Sequence, residues 1–596
     1  MTAPRTIPTT RPSDLVTFAI LVDGEALSAT IQVKSISVHR EVNKVPFARI
    51  RIVDGDPARE DFPVSNEAYF TPGKEIEIRL GYRSDNVPVF KGIITHHANK
   101  ISFRSAELQV ECKDKAVKLT LGRKSKHYEN VTDSDIAEEI IDKYGLEKEV
   151  EATPVQHKDV IQFNTSDWDF MLSRLDVMGR ICTVEDGKII LKKPDLGAAS
   201  VLDVLYGATI LDYQAEIDSR TQLNEVLSRT WDYSSQEVAE DTADIPDVPE
   251  TGNLSPTELA AVLGLESYQL IHAGRLTSGK LKEWANARML RSRLAKVKGT
   301  VKCKGFPDVK PGSIISLNGV GERFNGPVFV AAVRQQYSSG SWTTEIEFGL
   351  PDTWFAESIN PYHLSAQSGF MPSVQGLQIG VVTDLEDPEG EHRVKVRLPV
   401  VSMAEEGIWM RIATLDAGNN RGTFFRPEKD DEVIVGFIQN DPDNPVILGM
   451  LHSSALPPPL TPSNDNHEKG YISRSEIKMI FNDDEKSYVL ETPGGKKITL
   501  NDEAGLVQVE DENGNMVKME ASGVTLESAG SLTIKAATDI TLAAVNISLS
   551  PSSQFSVSAA GSEIKAGAGS AEFKSATVKV EGSGLAEIKG GLVKIN

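Results

Sequence analysis

The clearest pattern in the chain lies near its C-terminal end, where apolar residues come in pairs separated by one position. Val524/Leu526, Leu532/Ile534, Ile540/Leu542, Ile547/Leu549 and Phe555/Val557 recur, their first members 8, 8, 7 and 8 residues apart. Alternation within a pair has the period of a strand, and the small polar residues between pairs belong to turns. Residues 523–596 thus read as a degenerate octad repeat, one short strand per repeat, the signature of a solenoid or fibre. A strand of about four residues cannot bury its apolar face alone, and its sequence neighbours are expected around a corner rather than beside it. The six-residue rungs of a single-chain β-helix do not match a period of eight. Three chains wound together do: inward Val, Ile and Leu share one dry core, and no lateral edge is left. At one strand spacing of about 4.8 Å per octad, the repeat predicts a rod of roughly 45 Å. The ten residues of the five pairs are its expected core and trimer contacts.

Upstream, the beats Val489, Ile498, Val507 and Val517 are nine or ten residues apart between charged turns, and predict wider rungs narrowing into the octads. The first 125 residues alternate strand-like segments (TFAILVDG, FARIRIVDGD, EIEIRLGY) with Gly and Pro, the pattern of a β-barrel. Two helices follow. In TDSDIAEEIIDKYG, Thr132 or Ser134 can cap and Ile136, Ile140 and Ile141 share a face; in SDWDFMLSRLDVMG, Ser166 and Asp169 form a capping box. A hairpin around Asp186-Gly187 completes an α/β insertion.

A second repeat is longer in range. Pro72-Gly73 followed by Ile76 and Ile78 is echoed by Pro311-Gly312 followed by Ile314 and Leu317, and Pro88-Val89-Phe90 by Pro327-Val328-Phe329, both Pro-to-Pro intervals being 16 residues. Two related barrels per chain are implied, so three chains would place six similar barrels in a ring. Five short strands between DPEG, AGNN, PEKDD and DPDNP turns predict an OB-type barrel over 375–455. The organisation is mainly β: a first hub barrel (1–125), an α/β insertion (126–210), a second hub barrel (211–360) with a mobile acidic loop (234–256), a linker (361–374), the OB fold (375–455), a linker (456–475) and the trimeric β-prism (476–596).

Charge removes several functions. The net charge of −22 argues against bulk electrostatic binding of nucleic acid or anionic membrane. The OB segment, 376–453, carries 7 Lys/Arg against 14 Asp/Glu, a net −7, so it lacks the basic groove of an oligonucleotide binder. Three dispersed cysteines imply no disulfide framework. No segment approaches the 18 apolar residues of a membrane span, and the N-terminal apolar run ends at Asp23, so no signal peptide is expected.

Candidate chemistry is sparse. Gly274 to Lys280 matches GxxxxGK, but Leu281 stands where a phosphate-binding loop needs a hydroxyl for Mg²⁺. The segment reads instead as a helix start, with Trp284, Met289, Leu290 and Leu294 inward and Lys282, Arg288, Arg291 and Arg293 exposed. His96 and His97 are adjacent on a strand and face opposite sides. GxSxG and HExxH are absent. No catalytic residue, cofactor or metal ligand is predicted, and the chain is expected not to be an enzyme; a cell-wall hydrolase is the competing enzymatic reading.

GVVTDLEDPEGEHRVKVRLP, TFFRPEKDDEVIVGF and DPDNPVILGMLH resemble the OB segment of VgrG-type spike proteins and related phage baseplate spikes. GTVKCKGFPDVKPGSIISLNGVGERFNGPVFVAAV resembles the second hub barrel of that family, and FNTSDWDFMLSRLDVMGRICTVEDGKIIL its α/β insertion. The resemblance implies a homotrimeric central spike of a contractile injection machine, assembled in the bacterial cytoplasm and driven outward, meeting a target membrane only by puncture. It implies a hexameric inner-tube protein at the hub end, baseplate proteins around it, a PAAR-repeat protein at the rod tip, and effector cargo as a further passenger. No histidine follows His467, so an iron-bound HxH tip is not expected; Leu592, Val593 and Ile595 are the expected docking surface for a separate tip. HREVNKVPFARIRIVDGD resembles spikes of extracellular injection particles; a type VI secretion spike and a phage tail spike are the alternatives.

Overall fold

The computed structural model describes residues 14–103, 105–232, 237–272, 276–358, 374, 376–399, 401, 404, 406–558, 572 and 574–595. The linker 361–373, residues 234–236 of the acidic loop, and Gly274 and Arg275 of the GxxxxGK segment lie outside them. Two compact units divide the chain, residues 1–457 and 458–596.

The first unit opens with β1 (Val16–Val22), β2 (Val33–Glu41), β3 (Phe47–Val53), β4 (Glu75–Tyr82), the 18-residue β5 (Asp85–Ser102) and β6 (Ser105–Lys113). Their alternating residues fill one core around Ile36, Ile50, Ile78 and Phe90. The insertion consists of β7 (Lys124–Thr132), α1 (Asp133–Lys143), β8 (Gln156–Thr165), α2 (Asp167–Asp176), β9 (Ile181–Glu185) and β10 (Lys188–Lys192). The predicted caps form: Thr132 and Asp135 make a reciprocal capping box, and the Ser166 hydroxyl accepts from the Asp169 amide. Asp186-Gly187 is the β9–β10 turn.

The chain returns through β11 (Ile210–Ile217), β12 (Val226–Asp232), β13 (Glu237–Thr242), α3 (Ser278–Leu294), β14 (Val297–Lys304), β15 (Ile314–Asn318), β16 (Gly326–Ser338) and β17 (Ser341–Phe348). β13 corrects the reading of 234–256 as a mobile loop, because Glu237–Thr242 pairs with β12 throughout. Around α3 a second expectation fails. Trp284, Met289 and Leu294 are buried as predicted, but Arg288, Arg291 and Arg293 are buried too. Arg291 pairs with Asp176, Arg288 with Asp352 at 3.3 Å, and Arg293 donates to the Leu223 carbonyl at 3.0 Å. Most of the helix is enclosed, so these three arginines are partnered inside instead of solvated, while Lys282 stays half-exposed and pairs with Asp244 at 2.8 Å.

Each hub half has its own core, with Trp342 and Tyr337 of the second half packed into that of the first, and the two share one backbone ladder. Among the described residues a thirteen-stranded sheet contains the path β11-β14-β17-β16-β2-β3-β6-β5-β4-β1, and the β16–β2 pair joins the halves. The halves repeat residue for residue. Gly73 N donates to Ile94 O and Ile94 N to Lys74 O; Gly312 N donates to Val330 O and Val330 N to Ser313 O. Both glycines have positive φ (100° and 87°), a region that favours Gly and lets the chain turn into the strand. A register shift between Ile94 and His96 recurs between Val330 and Ala332, and one between Val33 and Ser35 recurs between Ile210 and Asp212. Thus β2-β3-β6-β5 and β11-β14-β17-β16 are equivalent. The second motif is a coincidence: Pro88 faces Arg79, whereas Pro327 faces Ser316, the counterpart of Glu77. The shorter β15 and its longer loop compensate to leave the Pro interval unchanged.

The OB barrel consists of β18 (Gln378–Asp384), β19 (Val394–Arg397), β20 (Ile408–Ile412), β21 (Glu432–Phe437) and β22 (Pro445–Met450), closed in the order β18-β19-β20-β22-β21. Val382, Val396, Val433 and Ile447 form its core, and Ile161 of β8 joins them.

The second unit contains β23 (Glu468–Ile472), β24 (Lys478–Asn482), β25 (Ser487–Glu491), β26 (Lys497–Asn501), β27 (Leu506–Glu510), β28 (Met516–Glu520) and β29 (Gly523–Glu527), each five residues long and each antiparallel to the next. This corrects the expected wide rungs. Turns of two to five residues return each strand directly alongside its predecessor, so from 468 to 527 sequence neighbours pair within the chain. Val524 and Leu526, assigned to the octads, belong to this meander: they face Met519 and Val517.

Candidate functional site

In the meander the second and fourth residue of each strand share one face. Register aligns Phe481, Tyr488, Leu500, Val507, Met519 and Val524 in one row, and Met479, Leu490, Ile498, Val509, Val517 and Leu526 in the other. The opposite face is mixed, with Ile480, Val489, Leu506 and Met516 set among polar and charged residues. Along its outer row Lys478, Glu491, Lys497 and Glu510 alternate in sign, with Lys478–Glu491 at 3.9 Å and Lys497–Glu510 at 3.8 Å. One face therefore mixes charge pairs with scattered apolar residues, while the other holds two continuous apolar rows. Within the single chain most of these residues are open to solvent, Met479 at 38% and Val524 at 71% exposure, while Tyr488, Leu490 and Val517 are half-buried. Contiguous apolar surface of this extent marks an interaction site.

The sequence reading found half of it. Ile498, Val507 and Val517 lie on the apolar face, but Val489 lies on the other, beside Ile480 and Thr499. Taking one apolar beat per strand missed Met479, Phe481, Tyr488, Leu490, Leu500, Val509 and Met519. The signal was an apolar residue at both the second and the fourth position of each five-residue segment (KMIFN, SYVLE, KITLN, LVQVE).

Beyond β29 the described residues 529–595 form no strand pair and are all exposed. The octad residues Leu532, Ile534, Ile540, Leu542, Ile547, Leu549, Phe555 and Val557, and the end residues Leu592, Val593 and Ile595, are exposed among them. The chain supplies this segment with no apolar partner of its own.

In the first unit, charges gather where the insertion, α3 and the OB barrel meet, beside a cleft of about 700 Å³. Asp133, at the start of α1, binds Arg174 and lies 2.9 Å from His157 Nε2; all three are buried. Arg174 also reaches Asp443 of the OB barrel at 3.9 Å, and His272 Nε2 lies 2.7 Å from the buried Asp441. Burial pushes the Asp133 carboxyl up, but Arg174 and His157 outweigh it and hold the group below the usual carboxylate range. Burial likewise opposes ionisation of Asp441, and the His272 and Lys280 charges overcome it, leaving the carboxyl at about 2. Lys280, the lysine of the GxxxxGK segment, is buried and 3.2 Å from Asp443, while the Thr277 hydroxyl caps α3. That lysine is committed to a carboxylate. His96 is exposed, and the half-buried His97 contacts the Phe70 carbonyl and the Ser65 hydroxyl. Among the described residues His127, Glu129 and Asp159 bring ligand-type atoms within 4.8 Å of one another; His127 Nε2 lies 2.9 Å from Asp159, an ion-pair distance.

A double strand repeat, an OB barrel and an apolar-faced meander define a VgrG-like spike protein related to phage tail hub proteins. The chain belongs to the family described as the Alg8 N-terminal domain, whose model matches residues 12–339, more than half its length. Residues 378–452 match the type VI secretion system/phage-baseplate injector OB domain, and residues 487–549 the phage baseplate V C-terminal trimerisation domain. Similar proteins include the actin cross-linking toxin VgrG1 of Vibrio cholerae, 27% identical over 206 residues, which are 33% of this chain and 16% of the toxin. The type VI secretion system spike protein VgrG1c of Pseudomonas aeruginosa is 33% identical over 116 residues, 18% of this chain and 16% of that protein. The chain thus spans about a sixth of each relative. The Francisella PdpA–VgrG complex has the same fold, with a TM-score of 0.51 at 8% identity, covering 88% of this chain and 81% of that one.

Proposed function

We propose that the chain is a non-enzymatic, homotrimeric central spike of a contractile injection machine, adapting a hexameric inner tube to a three-fold rod that carries a separate tip protein. The observation that carries this reading is the apolar face of β24–β29. Two unbroken apolar rows with a charge-paired reverse face suit three copies packed face inward around one axis. The match of 487–549 to a trimerisation domain supports the same number. On this reading the exposed octads continue the shared core, and three copies of the duplicated hub offer six similar surfaces to a six-fold tube. Leu592, Val593 and Ile595 would meet a PAAR-type tip, baseplate proteins would surround the hub, and effector cargo would ride on the assembly.

The resemblance of the β2–β3 segment to spikes of extracellular particles favours such a particle, assembled in the bacterial cytoplasm, over a type VI or phage machine. Lys280, fixed by Asp443, argues against nucleotide use. Equilibrium sedimentation of the purified chain tests the central claim. Three times the 64.9 kDa chain mass is expected, and a monomer at micromolar concentration would overturn it.

A further inference from the structure

One cluster of ligand-type side chains has no part in the spike reading. It lies on the two-stranded ladder of the insertion, where β7 and β8 pair antiparallel with Glu129 opposite Asp159 and His127 opposite Ile161. Strand alternation puts these four side chains on one face. Ile161 joins the core of the OB barrel, and His127 across from it is enclosed, its side chain only 4% exposed. Glu129 and Asp159 are more open, at 53% and 26%, and Asp159 also lines the large cleft between the insertion and the barrel. Solvent therefore reaches the carboxylate side of the cluster.

The imidazole has a carboxylate near each nitrogen, at unequal distances. Nε2 lies 2.9 Å from Asp159, a hydrogen bond, whereas Nδ1 lies 3.7 Å from Glu129, too far for one. An ionised carboxylate only accepts, so Nε2 carries the hydrogen, and in the neutral ring Nδ1 carries the lone pair. A histidine that gives one N–H to a carboxylate and turns its other nitrogen towards a second is arranged as metal-binding histidines are. Two atoms bound to one zinc ion at a tetrahedral angle stand roughly 3.4 Å apart. Nδ1 and the Glu129 oxygen are close to that separation, and the exposed Glu129 side chain can adjust the remainder.

The charges agree. Among the described residues neither Glu129 nor Asp159 is ion-paired with a lysine or arginine. The neighbouring Lys126 and Lys158 belong to the other face of the ladder and pair with Glu139 and Glu389. Two carboxylates beside one neutral imidazole hold two negative charges, which one divalent cation balances.

We propose that His127 Nδ1 and the Glu129 carboxylate bind a zinc ion, with Asp159 orienting the imidazole through Nε2–H and water completing the coordination. Mixed nitrogen and oxygen ligands select zinc over magnesium or calcium, which take oxygen alone. The ion clamps the face of the β7–β8 ladder from which Ile161 enters the OB core, and so stabilises the first unit.

Zinc binding by the metal-stripped full chain tests the site. Equilibrium dialysis against micromolar zinc chloride is expected to load one ion per chain, and the melting temperature of the first unit should rise with loading. Glu129→Gln and His127→Gln should each abolish stoichiometric binding; because Glu129 is exposed, its variant separates loss of the ligand from loss of the fold. Asp159→Ala should keep the stoichiometry and weaken the affinity roughly 10–100-fold, the effect of removing a group that orients a ligand. His96→Gln, at an exposed histidine elsewhere, should bind as the parent does, and excess calcium chloride should not displace the zinc. A chain that holds no zinc at micromolar concentration, or one that still holds a full equivalent in both Glu129→Gln and His127→Gln, would overturn the site. Displacement by calcium would overturn the choice of metal, and an unaltered affinity in Asp159→Ala would remove that residue's orienting role.

Discussion

Asp133 shows what a single residue does in this fold. It starts α1, accepts from Arg174, contacts His157, and is enclosed by protein. Asp133→Asn leaves the buried Arg174 without the carboxylate that pairs with it, and should cost about 3–5 kcal/mol. A lower urea midpoint for unfolding of the first unit would show it. The same cluster sets the pH response. Burial lowers the proton affinity of His157, and Arg174 and Lys280 lower it further, against Asp133. The unfolded chain therefore takes up a proton near the ordinary histidine value of 6.5 that the folded chain refuses, and stability falls as the pH drops through that value. Asp133 and Asp441 act lower. Their depressed values contribute stability that is complete above the ordinary 3.8 and is lost as the pH falls towards their folded values. Thermal melts should thus fall in two stages on acidification. In His157→Gln the upper stage should shrink; an unchanged upper stage would mean another group controls it.

At the scale of elements, strands were legible and partners were not. Alternation in EIEIRLGY or KMIFN fixes which residues share a face, since a strand's side chains alternate whatever it pairs with. The caps of α1 and α2 were equally legible, being local hydrogen bonds. The buried cations of α3 were not, because Arg291 finds Asp176 more than a hundred residues away. In the meander, five-residue strands joined by short turns look in sequence like rungs of a rod, and only pairing separates the two. The faces can be tested directly. On the reading of an inward apolar face, Ile498→Asp or Val507→Asp places a desolvated carboxylate in the shared core and should dissociate the trimer, at a cost of several kcal/mol per copy. Thr499→Asp, on the opposite face, should leave sedimentation unchanged. Leu532→Asp and Ile540→Asp extend the test to the octads: a trimer that melts as the parent does would remove them from the core.

At the scale of the whole molecule, the two units make separable contributions. Residues 1–457 hold their own cores, so a chain ending at Pro457 should fold with unchanged secondary structure by circular dichroism. Its trimer should dissociate at concentrations at least tenfold higher than that of the full chain, because the meander and octads no longer contribute apolar burial. The sequence by itself determined the alternation, the caps, the turns, the acidic net charge, and the family resemblance, all of which depend on residues close along the chain or on composition. The tertiary structure decided which strands meet. It joined the two hub halves in one sheet, exposed the 16-residue Pro interval as partly coincidental, and replaced it with register shifts that no spacing could reveal. It also returned β23–β29 alongside one another and left their apolar face open. The physical reason is that strand pairing is a bond between distant segments: its register depends on bulges and loop lengths whose effects cancel in a linear count, and appear only when backbone donors and acceptors are matched in space.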